Sequence, residues 1–581
     1  MQARLRATIF SLISTRTRRG AFLLLLLIAA IVYYWLLPKN SQIIYQSPAE
    51  RVVSLSNIQC VSTILERWAA DFDANRVDVF VPRLFSSSLL PFVGNGVIGL
   101  SAHATGSSSI YLAQSGHLSH NLQISPLVEI SIEKNQKMAH GGSVIDFHNG
   151  IVNHIYYYSS KSKCVTLIHS IYAHQIDKAL LIQKLQFKNK LNVPVTIHLS
   201  HPFLHTWPGS TKKQLKFPTN EHESISYDVI SGAVDQSTNL VLASVIAPES
   251  IQLVNLGEKE IYLPTTVLYN KTKILKLEEQ TTNILRAAHV SPNENAHAKA
   301  WNTLIHDCIS VGSSHDATIP PQKSVLSSLY YALSSIRLDI SNPKPPEKND
   351  HSCYEGLPTM HSAALWQSPN TDKSLLKLIE NWLQYLTNGG CWNIMKKGPL
   401  WIVQAITRSF LAIQTTASHL QVAANPVSLK AAVTLKGIVY ESQRIQLSVT
   451  MNRKLLPGRI QLISTDGKPP LYACAAGCKD DIQELKTGVS VAFPVIATTP
   501  ATPILFISAN KEHLLKLREQ ISWEAHEKHD DVIDEEKSEN RPLSARFWIM
   551  LASLVGLFHI CLLRIVYREY FRGQTTMKTL A

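Results

Sequence analysis

The run Val195-Thr196-Ile197-His198-Leu199-Ser200 alternates apolar and polar side chains one by one. Successive side chains of a strand point to opposite faces, so this period of two predicts a strand with one buried face. Asn239-Leu240-Val241-Leu242-Ala243-Ser244-Val245-Ile246-Ala247 is apolar almost throughout, the pattern of a strand covered on both faces. Leu185 and Phe187 also alternate with polar neighbours, and Asn-Gly and Gly-Gly pairs punctuate such runs from about 78 to 290. So many consecutive strands predict a large antiparallel β sandwich, assigned to 55–290.

Working outward, Ile58, Val61, Leu65, Trp68 and Phe72 recur three or four apart and predict a helix over 56–72, with Ser56 at its N-cap. A short helical region is expected over 296–415. One face is Trp301, Leu304, Ile305 and Ile309; another is Val325, Leu326, Leu329, Leu333 and Ile336. A third is Leu375, Leu376, Ile379, Trp382 and Leu386, stopped by Asn388-Gly389-Gly390, and a fourth apolar stretch runs from Trp401 to Ile413. Strands return in a small C-terminal β domain, 425–523. There Ile445, Leu447, Val449 and Met451 alternate, Asp466-Gly467 marks a turn, and a last amphipathic helix covers about 511–523. A charged linker at 525–546 reads as a flexible tether. The expected fold class is therefore mixed β+α.

The chain has 581 residues, a formal charge of +13, 45% hydrophobic and 17% charged residues. The charge suggests nucleic acid until its position is read. Arg4, Arg6, Arg16, Arg18 and Arg19 precede the apolar run Ala21–Leu37; Arg564, Arg568, Arg572 and Lys578, against Glu569, follow the apolar run Phe547–Leu563. An excess flanking two hydrophobic segments fits the positive-inside rule, and no basic stripe with interleaved aromatics is present, so no nucleic-acid partner is expected. Segment 21–37 reads as a signal-anchor or a cleaved signal peptide, and 547–563 as a transmembrane helix. Residues 1–20 and 564–581 then lie in the cytoplasm and 38–546 in the lumen or outside, placing the protein in a membrane of the endoplasmic reticulum or Golgi. His559 inside the second segment is costly in lipid unless it has a neutral role at a helix interface. Asn270-Lys271-Thr272 is an N-glycosylation sequon on the expected lumenal side.

Of eight cysteines, Cys561 falls in the second hydrophobic segment, leaving an odd seven: Cys60, Cys164, Cys308, Cys353, Cys391, Cys474 and Cys478. Cys308, at helical spacing from Trp301, Leu304 and Ile305, is the candidate to stay outside any bridge. Cys474 and Cys478, four apart, are expected to form a disulfide in an oxidising compartment; another pairing, metal or redox chemistry are the alternatives.

The most distinctive stretch runs from Cys353 through Tyr354-Glu355-Gly356-Leu357-Pro358-Thr359-Met360-His361 to Leu365-Trp366. Glu355 and His361 are the candidate catalytic residues, and Trp366 is the candidate to stack on a sugar ring. Glycoside hydrolysis needs a second carboxylate, which the sequence does not locate; packing around a disulfide is the other reading. No metal-ligand spacing, nucleophile elbow or phosphate loop is present, so no metal or cofactor is expected. Phe92-Val93-Gly94-Asn95-Gly96-Val97-Ile98-Gly99 reads as a hairpin turn.

Gly356-x-x-Thr359-Met360-His361-x-x-x-Leu365-Trp366, Tyr472-Ala473-Cys474-x-Ala476-Gly477-Cys478, Thr502-Pro503-Ile504-Leu505, and Ala552-Ser553-Leu554 with Leu557-Phe558-His559 together resemble an uncharacterised animal membrane protein family of the KIAA cDNA series. The resemblance covers about 55–571 and implies a secretory-pathway membrane glycoprotein with a domain of unknown function and a C-terminal membrane helix. It implies no reaction. A fainter resemblance is architectural. Gly94-Asn95-Gly96-Val97-Ile98-Gly99 is similar to the Gly-Asn-Gly-Tyr-Leu-Gly of inverting glycoside phosphorylases and of the glucosidase acting on glucosylgalactosyl-hydroxylysine. Leu365-Trp366-Gln367-Ser368-Pro369 is similar to their Phe-Trp-Asp segment, but Gln367 stands where they carry the acid, and 296–415 is too short for their helical toroid. That kinship implies a reduced, non-catalytic relative. The expected function is binding of a lumenal glycan or glycoprotein client, with the lipid bilayer as the other partner. The alternatives are a glycoside hydrolase-like enzyme and a trafficking adaptor reading through Tyr570-Phe571.

Overall fold

The computed structural model describes residues 59–521, except 82–88, 105–107, 133–135, 161–162, 202–203, 219–223, 306–307, 339–352, 453–456, 465–468, 479 and 499–500, together with a helix at 545–572. Segment 21–37, the basic N-terminus, Ser56, the Asp466-Gly467 turn and almost all of the charged linker lie outside the described residues.

The first half is a nine-stranded antiparallel sheet, in the order Val77–Phe80, Ala139–Asp146, Ile151–Ser160, Lys163–Ala173, Leu180–Asn189, Glu258–Asn270, Asn239–Val245, Ser224–Ala233, Ser210–Pro218. The apolar run at 239–245 forms an interior strand, between Glu258–Asn270 and Ser224–Ala233. Leu240 and Leu242 enter one hydrophobic cluster, while Val241, Ala243 and Val245 enter another. Alternate side chains thus serve two cores, which is why the sequence has no polar face there. The strand Val195–Ser200 sits in a separate four-stranded sheet. Its Val195, Ile197 and Leu199 are buried against the second cluster, and its intervening residues are more exposed.

Residues 274–290 are a correction to the β reading of 55–290. They form a helix, Ile274–Val290, packed on the strands Asn239–Val245 and Glu258–Asn270. Its buried residues are Leu277, Thr281, Leu285 and Ala288, three or four apart, so the period had already changed from strand to helix. The helix expected at 56–72 is broken into Gln59–Leu65, a 3-10 turn at Glu66–Trp68, and Ala69–Asp73.

Three long helices, Gln322–Ser335, Asp372–Asn388 and Pro399–Phe410, contact one another. Gln322–Ser335 is buried on every side and docks on the hairpin Phe92–Gly94/Ile98–Ser101. Tyr330 Oη donates to the Phe92 carbonyl at 2.6 Å and Tyr331 Oη to that of Leu90 at 2.7 Å. Gly94 has no side chain because a Cβ there would meet the Ser334 carbonyl at 2.4 Å. A Thr371–Ser374 capping box starts Asp372–Asn388, and Gly390, at φ 78°, follows its end.

Ile309 and Ile413, both expected on helix faces, are strand residues. Ile309–Val311 joins a five-stranded sheet beside Val433–Tyr440, and Ile413–Thr415 begins a second five-stranded sheet. Short apolar runs carry no period long enough to separate the two states. One buried apolar cluster runs from Leu89 in the first half through the helices to Ile507 in the last sheet, so the three regions share a core. Three disulfides, Cys60–Cys164, Cys353–Cys391 and Cys474–Cys478, tie the described residues. Cys308 stands outside them, its thiol donating to the Ile305 carbonyl at 3.7 Å.

Among the described residues no helix is long and apolar enough to cross a membrane. The C-terminal helix Ala545–Arg572 has 28 residues. The expectation of two flanking membrane segments therefore gains no support from the fold. What the helix does show is exposure. Its described side chains, Leu551, Leu554, Phe558 and Leu562 among them, are exposed. Ser553 Oγ donates to the Ile549 carbonyl, and His559 Nδ1 lies 2.8 Å from the Val555 carbonyl, so both polar groups turn back onto their own helix.

Candidate functional site

A cavity of about 890 Å³ lies where the hairpin, the end of a buried helix and the Trp392 segment meet. Lys178, Tyr269, Arg337 and Trp392 line it, and a second lobe of about 250 Å³ shares Lys178, Arg337 and Leu338 and adds Asn95, Lys396 and Lys397. The two lobes form one cleft. No Asp or Glu is among its described lining residues.

Asn95 builds one wall. As an Asn-Gly turn residue its Oδ1 accepts from the backbone N–H groups of Val97 and Ile98, at 3.0 and 3.1 Å, closing the hairpin. Its Nδ2 donates to the carbonyls of His174, at 2.9 Å, and Lys178, at 3.1 Å. Lys178 Nζ returns a bond to the Asn95 carbonyl at 3.2 Å. The turn therefore fixes the loop that carries the lysine. Burial, with Arg337 as a nearby like charge, lowers the Lys178 pKa to about 8.

Arg337 follows the buried helix Gln322–Ser335. Its backbone N–H donates to the Gly116 carbonyl at 2.9 Å, while its side chain is exposed. Tyr269 pins the opposite wall, its hydroxyl lying 3.1 Å from the Val97 carbonyl and accepting from the Ala113 N–H at 3.0 Å. Lys396 lies over the Trp392 ring and Lys397 over the Trp401 ring, at 5.5 and 5.3 Å from the centroids. Gly398, with φ 124°, then opens the helix Pro399–Phe410, whose N-terminus adds positive partial charge to the cleft. The cleft thus offers aromatic surface, amide and hydroxyl groups, and four cations.

The sequence candidates lie elsewhere. Trp366 is a correction. Its indole is 4% exposed, meets Trp382 and Phe410 edge-on at 4.9 and 5.3 Å, and donates to the Thr359 carbonyl at 2.7 Å, so it has no face for a sugar. Glu355 is exposed and does not line the cleft; its backbone N–H donates to Gly389 at 2.8 Å beside the Cys353–Cys391 bridge. His361 lines a separate open depression of about 350 Å³ with Asp316 and Lys430, and its Nδ1 lies 3.1 Å from Thr318 Oγ1. The structure does not bring Glu355 and His361 into one pocket. Cys474 and Cys478 are bonded to each other, with Cα atoms 4.9 Å apart. Asn270 is exposed at the end of the strand Glu258–Asn270, its Oδ1 accepting from the Thr272 N–H at 2.6 Å. No group of three or more His, Cys, Asp or Glu able to hold a metal occurs among the described residues.

Sequence reading missed Lys178, Arg337 and Trp392 because they are far apart in the chain and none sits in a motif that marks it. Asn95 was visible, in the Gly-Asn-Gly signature, but only as a turn residue.

One family model matches residues 4–579, that of the "Uncharacterized conserved protein (DUF2152)". The chain belongs to the DUF2152 family. A KIAA2013 homolog of Xenopus tropicalis, named as uncharacterized, is 26% identical over 515 residues, covering 82% of each chain. The Xenopus laevis homolog is also 26% identical, over 443 residues and 71% of each. A protein-glucosylgalactosylhydroxylysine glucosidase of Dictyostelium discoideum is 25% identical over 289 residues, 46% of this chain and 39% of that one. Among solved structures, a protein described as a candidate kojibiose phosphorylase from human microbiome aligns over 45% of this chain and 41% of its own, with 12% identity and a TM-score of 0.35, too low a likeness to argue from. The two Xenopus homologs and the glucosidase correspond to the two resemblances seen in the sequence, the second of them faint.

Proposed function

We propose that this DUF2152 protein is a membrane-tethered protein of the secretory pathway whose cleft binds a carbohydrate ligand without cleaving it. One observation carries the binding reading: a cleft of about 890 Å³ lined by Trp392 and Tyr269, with no carboxylate among its described lining residues. Aromatic faces bury the apolar side of a sugar ring, and Gln114 and Ser115, which line the same cavity, bring an amide and a hydroxyl for its hydroxyls. Glycoside hydrolysis by the usual route needs two carboxyl groups flanking the scissile bond, roughly 5–10 Å apart. Neither Glu355 nor a second acid lines this cleft among the described residues. The partial likeness to a glucosidase supports a sugar as the ligand class.

The tether reading rests on two features. The C-terminal helix presents exposed apolar side chains over 549–565, and Arg564, Arg568 and Arg572 follow the apolar run. Three disulfides and an exposed Asn270 sequon support an oxidising, glycosylating compartment for the region before it.

The full chain, solubilised in detergent, is tested on a glycan array beside a Trp392→Ala variant. Binding that falls at least tenfold in the variant is the expected result. Undiminished binding by Trp392→Ala, or an absence of glycan binding by the native chain, refutes the cleft as a carbohydrate site.

A further inference from the structure

The geometry points to a ligand that carries a phosphate or sulfate group, held between Lys178 and Arg337 where the two lobes of the cleft join. This rests on the proposed carbohydrate-binding cleft for its location, and it adds the charge class of what binds there.

Four cations face this cleft: Lys178, Arg337, Lys396 and Lys397. Among the described residues none of the four has a carboxylate partner, and no Asp or Glu lines either lobe. The acid beside Lys178 in sequence, Asp177, instead lies 3.6 Å from His174 Nδ1.

Lys178 and Arg337 are the informative pair, because both line both lobes. Lys178 is partly buried, and a side chain able to extend to solvent would ordinarily avoid a like charge. Here it is held back by its bond to the Asn95 carbonyl, and the loop beneath it is fixed by the Asn95 amide. The pair is thus positioned at a cost in desolvation and repulsion, visible as the depressed Lys178 pKa. A tetrahedral oxyanion relieves both costs. It supplies acceptors for the planar fork of Arg337 and a counter-charge for Lys178, and these interactions are shorter and stronger than neutral hydrogen bonds. The N-terminus of Pro399–Phe410, lining the second lobe through Gly398 and Pro399, adds donors of the same sign. A carboxylate wall would be needed to favour a cationic ligand, and no such wall is among the described lining residues.

The same chemistry has two sources, an ester on a glycan and free inorganic phosphate. Isothermal titration of the full chain in detergent, at pH 7 and fixed ionic strength, separates them with four probes: inorganic phosphate, glucose 6-phosphate, glucose 6-sulfate and glucose. The variants are Arg337→Gln, Lys178→Gln, Lys178→Arg and, as a control outside the cleft, Lys430→Gln. The expected result is that the esters bind at least tenfold more tightly than glucose. Arg337→Gln and Lys178→Gln each weaken them at least tenfold, Lys178→Arg restores most of the affinity, and Lys430→Gln changes nothing. Esters binding more tightly than inorganic phosphate mark a glycan substituent as the source. Phosphate binding as tightly as the esters marks the free ion, and phosphate binding without any sugar binding sustains the anion site while refuting the carbohydrate reading. Glucose binding as tightly as its esters, with Arg337→Gln without effect, overturns the anion inference and leaves the carbohydrate reading standing. No binding by any probe overturns both. Should Lys178→Gln lower the melting temperature, the exposed Arg337→Gln carries the test.

Discussion

Replacing Trp366 tests whether the 353–366 segment is core or ligand platform. In the structure the indole is closed in by Trp382 and Phe410, and its N–H is committed to the Thr359 carbonyl. Trp366→Phe keeps one six-membered ring but removes the donor and the rest of the indole. The Thr359 carbonyl keeps the Ser362 N–H at 2.8 Å, so losing the indole donor costs only about 0.5–1.5 kcal/mol; the small cavity adds on the order of 1 kcal/mol, and a loss of about 1–3 kcal/mol is expected. Trp366→Ala removes the whole ring system and should cost at least the 3–5 kcal/mol typical of buried aromatic truncations, as an order-of-magnitude figure. The neighbours amplify this, because Trp382 Nε1 donates to Ser328 Oγ and Ser328 donates to the Leu365 carbonyl, so the network is continuous with the residue before Trp366. Urea unfolding of the full chain, followed by near-ultraviolet circular dichroism, reads the midpoint shift, and glycan binding is read on the same preparations below the transition. The expected outcome is a lower midpoint for both variants and unchanged ligand affinity for Trp366→Phe. An unchanged midpoint with lost affinity would refute the packing argument and return Trp366 to the ligand.

Removing the Cys353–Cys391 bridge as a double serine variant frees a loop with a sequence separation of 38; the chain-entropy estimate is a loss of about 4 kcal/mol, checked by the same unfolding curve with and without reductant. Acid should destabilise the fold. Burial holds His169 at about 4 and His297 at about 3, both below the usual 6.5, so the unfolded chain binds more protons between these values and 6.5. Stability is therefore complete above 6.5 and falls as pH drops, by about 2 kcal/mol for each histidine at about pH 5; a melting temperature that holds steady from pH 7 to 5 contradicts this. Asn95→Ala removes both side-chain bonds to the Lys178 loop as well as the turn contacts, and should weaken ester binding several-fold and lower the melting temperature, because the buried or partly buried partners of four hydrogen bonds are left unsatisfied.

Strand periodicity carried the most information about the fold. Val195–Ser200 alternates because one face is buried, and 239–245 does not because two cores press on it. Local chemistry was equally plain at Asn388-Gly389-Gly390, where the helix stops, and at Asn95-Gly96, where the hairpin turns. Other elements were not legible for definable reasons. Ile309–Val311 and Ile413–Thr415 are three-residue strands whose identity comes from the sheets they join. Helix Ile274–Val290 was hidden because its stripe includes Thr281 and Ala288, too weakly apolar to stand out against preceding strands. The distinctive chemistry of Glu355, His361 and Trp366 drew attention to a segment that the structure builds around a disulfide and a tryptophan pair. The cleft went unread because Asn95, Lys178, Tyr269, Arg337 and Trp392 become neighbours only through the shared core. The family match accounts for the first of the two sequence resemblances and leaves the reaction class open to experiment.

The most direct measurement is a mass balance on a bound glycan. Full-length protein in detergent is loaded with the array's tightest ligand, held at 37 °C overnight, and the ligand is released and weighed by mass spectrometry alongside Trp392→Ala. The account predicts stoichiometric recovery of intact glycan from the native protein and little bound glycan on the variant. Accumulation of a shortened glycan and a free monosaccharide, dependent on the native protein, would contradict it.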